Sequence, residues 1–309
     1  MKAIAYSRYG PPDVLKPVDL PKPEPKPGEV LVKVHATSVT SGDYRARSLD
    51  MPPGFGLVGR LVFGFFRPRR RTLGAEFSGV VEAVGSEVTR FAPGDRVFAY
   101  PGAGFGGYAE YAVIAETAAI AHVPGNLELD EAAAIPFGGA TALNFLKDKA
   151  GIRTGDKVLV IGASGGVGSA AVQLAKHFGA DVTATASTGK LEMVRGLGAD
   201  AVIDHTRDDP AAARDAYDII LDTSGTATYA KYGAALRPGG RLLLVSANLW
   251  QHIGTLLARK SQGRKASGGY APERAGDLHF LAGLAARERF KPYIDRRFPL
   301  HRAADAHAW

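Results

Sequence analysis

Two patterns of hydrophobic and polar positions divide the chain near residue 126. Before it, short apolar segments alternate with proline and glycine. Residues 20–28 (LPKPEPKPG) cannot be a helix, because every second or third residue is proline. Residues 29–36 (EVLVKVHA) then alternate polar and apolar, as a half-buried strand does. Further strands are predicted over 79–84 and, after the turn Pro93-Gly94-Asp95, over 96–99. Such a run of short strands predicts an all-β or barrel-like module.

After residue 129 the pattern changes. Residues 130–149 are Ala-rich and read as helix. Residues 157–161 are a continuous apolar strand, of the kind buried on both faces in a parallel sheet. A helix over 166–178 stops at Gly179, where a C-terminal glycine relieves the backbone. Strands are predicted over 181–187, 201–204, 218–222 and 241–246, with a helix over 190–197. Strand and helix in alternation predict a doubly wound parallel sheet with right-handed crossovers. The chain therefore reads as α/β, with a β-rich domain over 1–126 completed by 287–309, and a nucleotide-binding domain over 127–286.

The length of 309 residues suits two domains of about 150 residues each. No apolar run approaches the roughly 18 residues that span a bilayer, and the start MKAIAYSRYG has no apolar signal core. A cytoplasmic location and no membrane partner are expected. There are no cysteines, so disulfides, thiolate zinc sites and iron–sulfur ligation are excluded. The histidines show no ligand spacing, and no metal is expected. The net charge of +7 gathers most sharply at Arg67, Arg69, Arg70 and Arg71. These residues are either a solvated loop, a steering device for a phosphorylated cofactor, or a nucleic-acid or membrane contact.

The most specific motif is GASGGVG at 162–168, between a strand and a helix. Gly162 suits the tight turn, Gly165 and Gly166 permit close approach of a pyrophosphate, and Gly168 permits close strand–helix packing. The amides of Gly166 and Val167 open the helix, where free N–H groups and the dipole favour phosphate; Ser164 lies beside them. The same residues spell G-x-S-x-G, the nucleophile elbow of hydrolases, with Asp222 and His279 following in the right order. An elbow normally crowns a sheet already several strands deep, whereas this one follows the first strand.

With those motifs in place, the chain resembles the medium-chain dehydrogenase/reductase superfamily over nearly its whole length. The resemblance rests on KPGEVLV at 26–32, GAEFSGVVEAVG at 74–85, PGDRV at 93–97 and GYAEY at 107–111. It continues through IPFGGATA at 135–142, the glycine turn, and LRPGG at 236–240. It implies a GroES-like substrate domain, a Rossmann domain and an active site between them. The branch it resembles is the zinc-free quinone oxidoreductases: Ala75 stands where zinc-dependent relatives have histidine, and Ser41-Gly42-Asp43 has no thiol. That branch often carries an Asn and, three residues later, an Asp; here Thr40 replaces the Asn and Asp43 remains. Relatives also run past a helix like 301–309 into a final strand, whereas the sequence here stops at Trp309.

In such an enzyme NADPH supplies hydride, and with no Lewis acid the protein's hydrogen-bond donors stabilise the developing oxyanion. The candidates are Thr40 and Tyr44, with Asp43 orienting them, and Thr141, which the family places near the nicotinamide. Asp43 and Tyr44 read equally as a satisfied loop pair, and Thr141 as a helix-surface residue. NADPH is expected over NADH because the second strand ends in Ser187 and reaches Lys190 with no carboxylate at the turn. His205 stands where many relatives have a phosphate-binding Tyr, and Ser246, after a later strand, completes the expected cofactor set. The insertion 51–71 (MPPGFGLVGRLVFGFFRPRRR) is either an apolar lid over a flat substrate or a hydrophobic turn packed on its own domain. Residues 265–270 are expected to be an edge strand that pairs across a homodimer axis.

The reading favoured is an NADPH-dependent reductase of small, uncharged, conjugated quinones or enones. A metal-free NAD(P)-dependent alcohol dehydrogenase or carbonyl reductase is the second enzyme reading. A non-catalytic NADPH-binding or RNA-binding protein is the alternative of another class, and the absence of basic–aromatic interleaving disfavours nucleic acid.

Overall fold

A computed structural model describes residues 1–251, 254 and 263–309. These residues fall into two compact units: Met1–Met51, Phe55–Phe137 and Glu273–Trp309 form the first, and Pro52–Gly54 with Gly138–Pro272 the second.

The first unit is built on a five-stranded antiparallel sheet. Its strands are β3 (Glu29–Thr37), β4 (Phe77–Val84), β5 (Arg96–Ala99), β6 (Tyr111–Ala115) and β7 (Ile120–His122), in the order β6-β3-β4-β5-β7. Along β3, Val30 and Val32 meet Phe77, Val81, Val97 and Ile114 in one core, but Leu31 between them is buried too, so this half of the strand is covered on both faces rather than half-buried as expected. A hairpin of β1 (Lys2–Ala5) and β2 (Lys16–Asp19) packs through Ile4 and Tyr6 on Leu73, Tyr108 and Ala303. Gly85 has no room for a side chain, since a Cβ there would lie 1.9 Å from the Lys26 carbonyl oxygen.

Two helices lie between β3 and β4. The first, α1 (Ser41–Ser48), opens with a capping box between Thr40 and Asp43 and closes on Leu49 in the left-handed region, φ 57°. The second, α2 (Gly56–Phe63), lies inside the insertion. Only Phe63 and Gly59 turn inward. Phe63 meets Phe105, the ring centroids 6.3 Å apart, and Gly59 abuts Met51.

The helix expected over 130–149 is three pieces: α3 (Leu129–Ala133), α4 (Pro136–Leu143) and a π-helical turn, Asn144–Lys149. Pro136 explains the first break, because proline lacks an N–H and drives the residue before it out of helical geometry. The helix Ala275–Ala286, which the sequence pattern did not disclose, is apolar on most sides.

The second unit is a six-stranded sheet, parallel at every pairing. Its strands are β8 (Lys157–Ile161), β9 (Asp181–Ala186), β10 (Ala201–Asp204), β11 (Tyr217–Asp222), β12 (Leu236–Leu244) and β13 (Lys265–Gly268). The order β10-β9-β8-β11-β12-β13 reverses direction between β8 and β11, which is the doubly wound arrangement expected. Leu159, Ile161, Ile220, Leu242 and Leu244 fill one side of the sheet. Helices α5 (Gly166–His177) and α6 (Leu191–Gly196) follow β8 and β9. No helix among the described residues is long and apolar enough to cross a membrane.

Candidate active site

The carboxyl ends of β8 and β11 form the topological switch point, the place where open α/β sheets bind ligands. Gly162 makes its turn there at φ 79°, and a Cβ on it would lie 2.9 Å from Thr223 Oγ1. Thr223 Oγ1 donates to the Ile161 carbonyl at 2.8 Å, and Thr185 Oγ1 accepts from the Gly162 N–H at 3.2 Å. Gly168 packs α5 onto β8, with its missing Cβ 2.1 Å from the Gly162 carbonyl oxygen. Gly165 and Gly166 are different. They are exposed, and a Cβ on Gly166 would meet nothing within 4 Å. No side chain caps α5. The result is a bare backbone cradle at a helix N-terminus, which fits a pyrophosphate without rearrangement. Ser164 and the buried Val167 complete it.

Around the cradle, Gly138 on α4 comes so close to α5 that a Cβ would lie 2.5 Å from the Gly166 carbonyl oxygen. Thr141, one turn further along α4, is buried. Ser246 follows β12, its carbonyl beside Gly225. Strand pairing sets Asp204 opposite Ala186, so Ser187 and His205 leave the sheet side by side. Lys190 follows at the end of the 3-10 turn Thr188–Lys190, its N–H donating to the Ser187 carbonyl at 2.9 Å.

The reading of this turn as free of carboxylates is corrected by Asp204. The Thr188 hydroxyl donates to Asp204 Oδ2 at 2.6 Å, and the Thr206 hydroxyl to Oδ1 at 2.6 Å. These hydroxyls hold its carboxyl down at about 2. The turn's own sequence lacks an acid; the neighbouring strand delivers one.

In the first unit, Asp43 is fully buried. Its Oδ2 accepts from the Thr40 N–H at 3.0 Å and the Thr40 hydroxyl at 2.6 Å. Its Oδ1 accepts from the Gly74 and Ala75 N–H groups at 2.8 and 3.1 Å. Burial pushes its pKa up, against the pull of these hydrogen bonds. Asp43 thus fastens α1 to the segment entering β4. Thr40 is buried, and its proton is committed to Asp43. Tyr44 is not part of this cluster: its ring is exposed and its hydroxyl donates to Asp50 Oδ2 at 2.7 Å. That acceptor raises its pKa further above 10.

Sequence reasoning missed Glu76. It is 3% exposed and lies at the mouth of β4. Burial, which outweighs hydrogen bonds from Ser38 Oγ and the Phe137 N–H (2.6 Å), lifts its pKa to about 8; the nearby Asp43 adds to the rise. The signal available was a carboxylate directly ahead of an apolar strand. A second missed group is the chain Arg47–His307–Tyr108. Arg47 Nε donates to His307 Nδ1 at 3.2 Å, which puts the imidazole proton on Nε2, 3.0 Å from the Tyr108 hydroxyl. Tyr108 donates in turn to the Ser38 carbonyl at 3.2 Å. Burial and Arg47 depress His307 to about 4, so it is neutral at ordinary pH.

The acid and the base of the hydrolase reading are each committed locally. Asp222 spends its oxygens on the Ser224, Gly225 and Ala227 N–H groups, and His279 Nδ1 lies 2.7 Å from the carbonyl of Ala275 on its own helix. Among the described residues no three His, Asp or Glu side chains are grouped to hold a metal ion.

Residues 26–125 match the alcohol dehydrogenase GroES-like domain, and residues 166–264 match the zinc-binding dehydrogenase family. The chloroplast envelope quinone oxidoreductase homolog of Arabidopsis thaliana is 32% identical over all of this chain and 94% of that protein. The NADPH-dependent alkenal/one oxidoreductase of the same plant is 36% identical over 80% of this chain, which spans 62% of that relative's length. A crystal structure of an NAD-dependent alcohol dehydrogenase superposes with a TM-score of 0.87 at 31% identity, covering all of this chain and 95% of that one.

Proposed function

This chain belongs to the medium-chain dehydrogenase/reductase superfamily, on its quinone oxidoreductase-like branch, and from that premise we propose that it reduces quinones or enones with NADPH and without a metal ion. The observation that carries the proposal is the bare cradle of Gly165 and Gly166 at the switch point of a doubly wound sheet. Its amides and that of Val167, with Ser164, hold the pyrophosphate. Ser187, Lys190 and His205 hold the ribose 2′-phosphate, and Arg207, its Nε 3.7 Å from Asp204 Oδ2, offsets the charge of Asp204. Thr141 and Ser246 flank the remainder of the cofactor. Bound there, NADPH supplies a hydride to the conjugated substrate.

The chain's own groups position and polarise. Asp43 orients Thr40 and fixes α1. Thr40 and Tyr44 already donate elsewhere, so they act on a substrate carbonyl only by exchanging those partners. Hydride addition leaves an enolate or a hydroquinone anion, and water supplies its proton, so the reaction needs no dedicated acid. Zero cysteines and Ala75 support metal independence. The proposal includes a cytoplasmic homodimer whose copies meet at the edge strand β13; sedimentation as a monomer at micromolar concentration removes that part.

The similarity to an alcohol dehydrogenase structure favours a second reading, NAD(P)-linked interconversion of alcohols and carbonyls. Isotope transfer separates the two. With NADPH deuterated at the transferring position of the nicotinamide and an enone as substrate, the product carries deuterium on the β-carbon. Deuterium on the carbonyl carbon instead selects the second reading.

A further inference from the structure

The insertion presents an apolar surface outward. Leu57, Val58, Leu61, Val62, Phe65 and Phe66 are between 47% and 89% exposed. On α2 the first four share one stripe, about 140° wide at 100° per residue. The helix is not free to roll this stripe inward. Phe63 is packed on Phe105, Gly59 lies against Met51, and the Tyr9 hydroxyl donates to the Gly64 carbonyl at 2.7 Å. The Arg69 N–H donates to the Phe63 carbonyl at 2.8 Å, which ties the following arm to the same end.

The charge around the stripe has one sign. Arg60, Arg67, Arg69, Arg70 and Arg71 are all exposed, and residues 51–75 contain no Asp or Glu. Arg60 donates to the Phe65 carbonyl at 2.7 Å and lies over the Phe65 ring, so cation and apolar group share one edge. An exposed apolar patch marks an interaction site. Apolar side chains in a segment whose only charged residues are arginines match a bilayer of anionic phospholipids: the apolar residues enter the acyl boundary while the guanidinium groups meet the phosphates. A nucleic acid would leave the apolar stripe in water.

We propose that α2 and the arginine arm dock this protein reversibly on an anionic membrane surface. The docking is independent of the reaction proposed above, and its test uses no turnover. The full-length protein is sedimented with vesicles of phosphatidylcholine alone, and of phosphatidylcholine with about 30% phosphatidylserine. Binding is expected to the second and not the first, and to fall at least tenfold in 0.5 M salt, where the Debye length is about 4 Å against about 10 Å at 0.1 M. Leu61→Glu/Phe66→Glu is expected to lose binding at all salt concentrations, and Arg69→Glu/Arg70→Glu to lose it at low salt. Both variants change exposed residues, and an unchanged urea midpoint establishes that they fold. Failure of wild type to bind anionic vesicles at low salt overturns the proposal, as does full binding by either variant. A wild-type oligomer that Leu61→Glu/Phe66→Glu dissociates also overturns it, by giving the stripe to a second copy.

Discussion

Glu76→Gln isolates the energetic consequence of one buried carboxyl. In the folded chain Glu76 titrates at about 8, against an ordinary value of 4.5, chiefly because burial disfavours its charge. The folded state therefore binds this proton more tightly than the unfolded state, and stability must fall as pH rises between the two values. With those pKa values the loss between pH 6 and pH 8 is about 2 kcal/mol, from 1.36 kcal/mol per unit. Glutamine mimics the protonated form: its oxygen accepts from the Phe137 N–H, and its amide donates to Ser38 Oγ. The variant keeps the contacts and removes the titration. Urea unfolding of both proteins at pH 6, 7 and 8 is the assay, since all other groups cancel in the difference. The variant should gain about 2 kcal/mol relative to wild type over this range, or roughly 4–8 °C in thermal midpoint. Parallel pH profiles, or a variant that loses ground as pH rises, would refute the claim that Glu76 is held neutral.

Lys190→Ala should raise the Michaelis constant for NADPH about tenfold, equivalent to about 1.4 kcal/mol, and leave that for NADH nearly unchanged. Equal effects on both cofactors would remove Lys190 from the 2′-phosphate site. Gly166→Ala should fold normally, because the added methyl meets nothing, yet weaken NADPH binding by filling the cradle. Gly168→Ala should instead cost about 1–3 kcal/mol in urea unfolding, because its methyl would collide with the Gly162 carbonyl. Similar stability losses in the two glycine variants would contradict the distinction drawn between them. Exhaustive chelation should leave turnover unchanged, and elemental analysis should find no stoichiometric zinc.

The features legible in the sequence are those set by near neighbours. Residues 157–161 and 201–204 are strands at the residues predicted, because a short apolar run bounded by turns has one way to be buried in a parallel sheet. The glycine turn was legible for the same reason: strand, glycines and helix are contiguous. What escaped depends on partners far along the chain. Asp43 reads as a local pair with Thr40, and half of that is right; the amides of Gly74 and Ala75, about thirty residues away, give it the rest of its role. Glu76 owes its neutrality to burial, which the packing of β3, β4 and α4 imposes and which outweighs the hydrogen bonds from Ser38 and Phe137. Asp204 enters the cofactor turn through strand pairing, which no local pattern announces. In the insertion the composition was plain, but the direction of its apolar face was not, since that depends on which residues Phe105 and Tyr9 capture.

The central claim is tested most directly by steady-state kinetics with both cofactors against a panel of small quinones, enones, aldehydes and primary alcohols. The account predicts that NADPH is oxidised with quinones or enones, at a higher kcat/KM than NADH and faster than any aldehyde is reduced. Oxidation of primary alcohols that outpaces every quinone and enone reduction, or a preference for NADH, would contradict it.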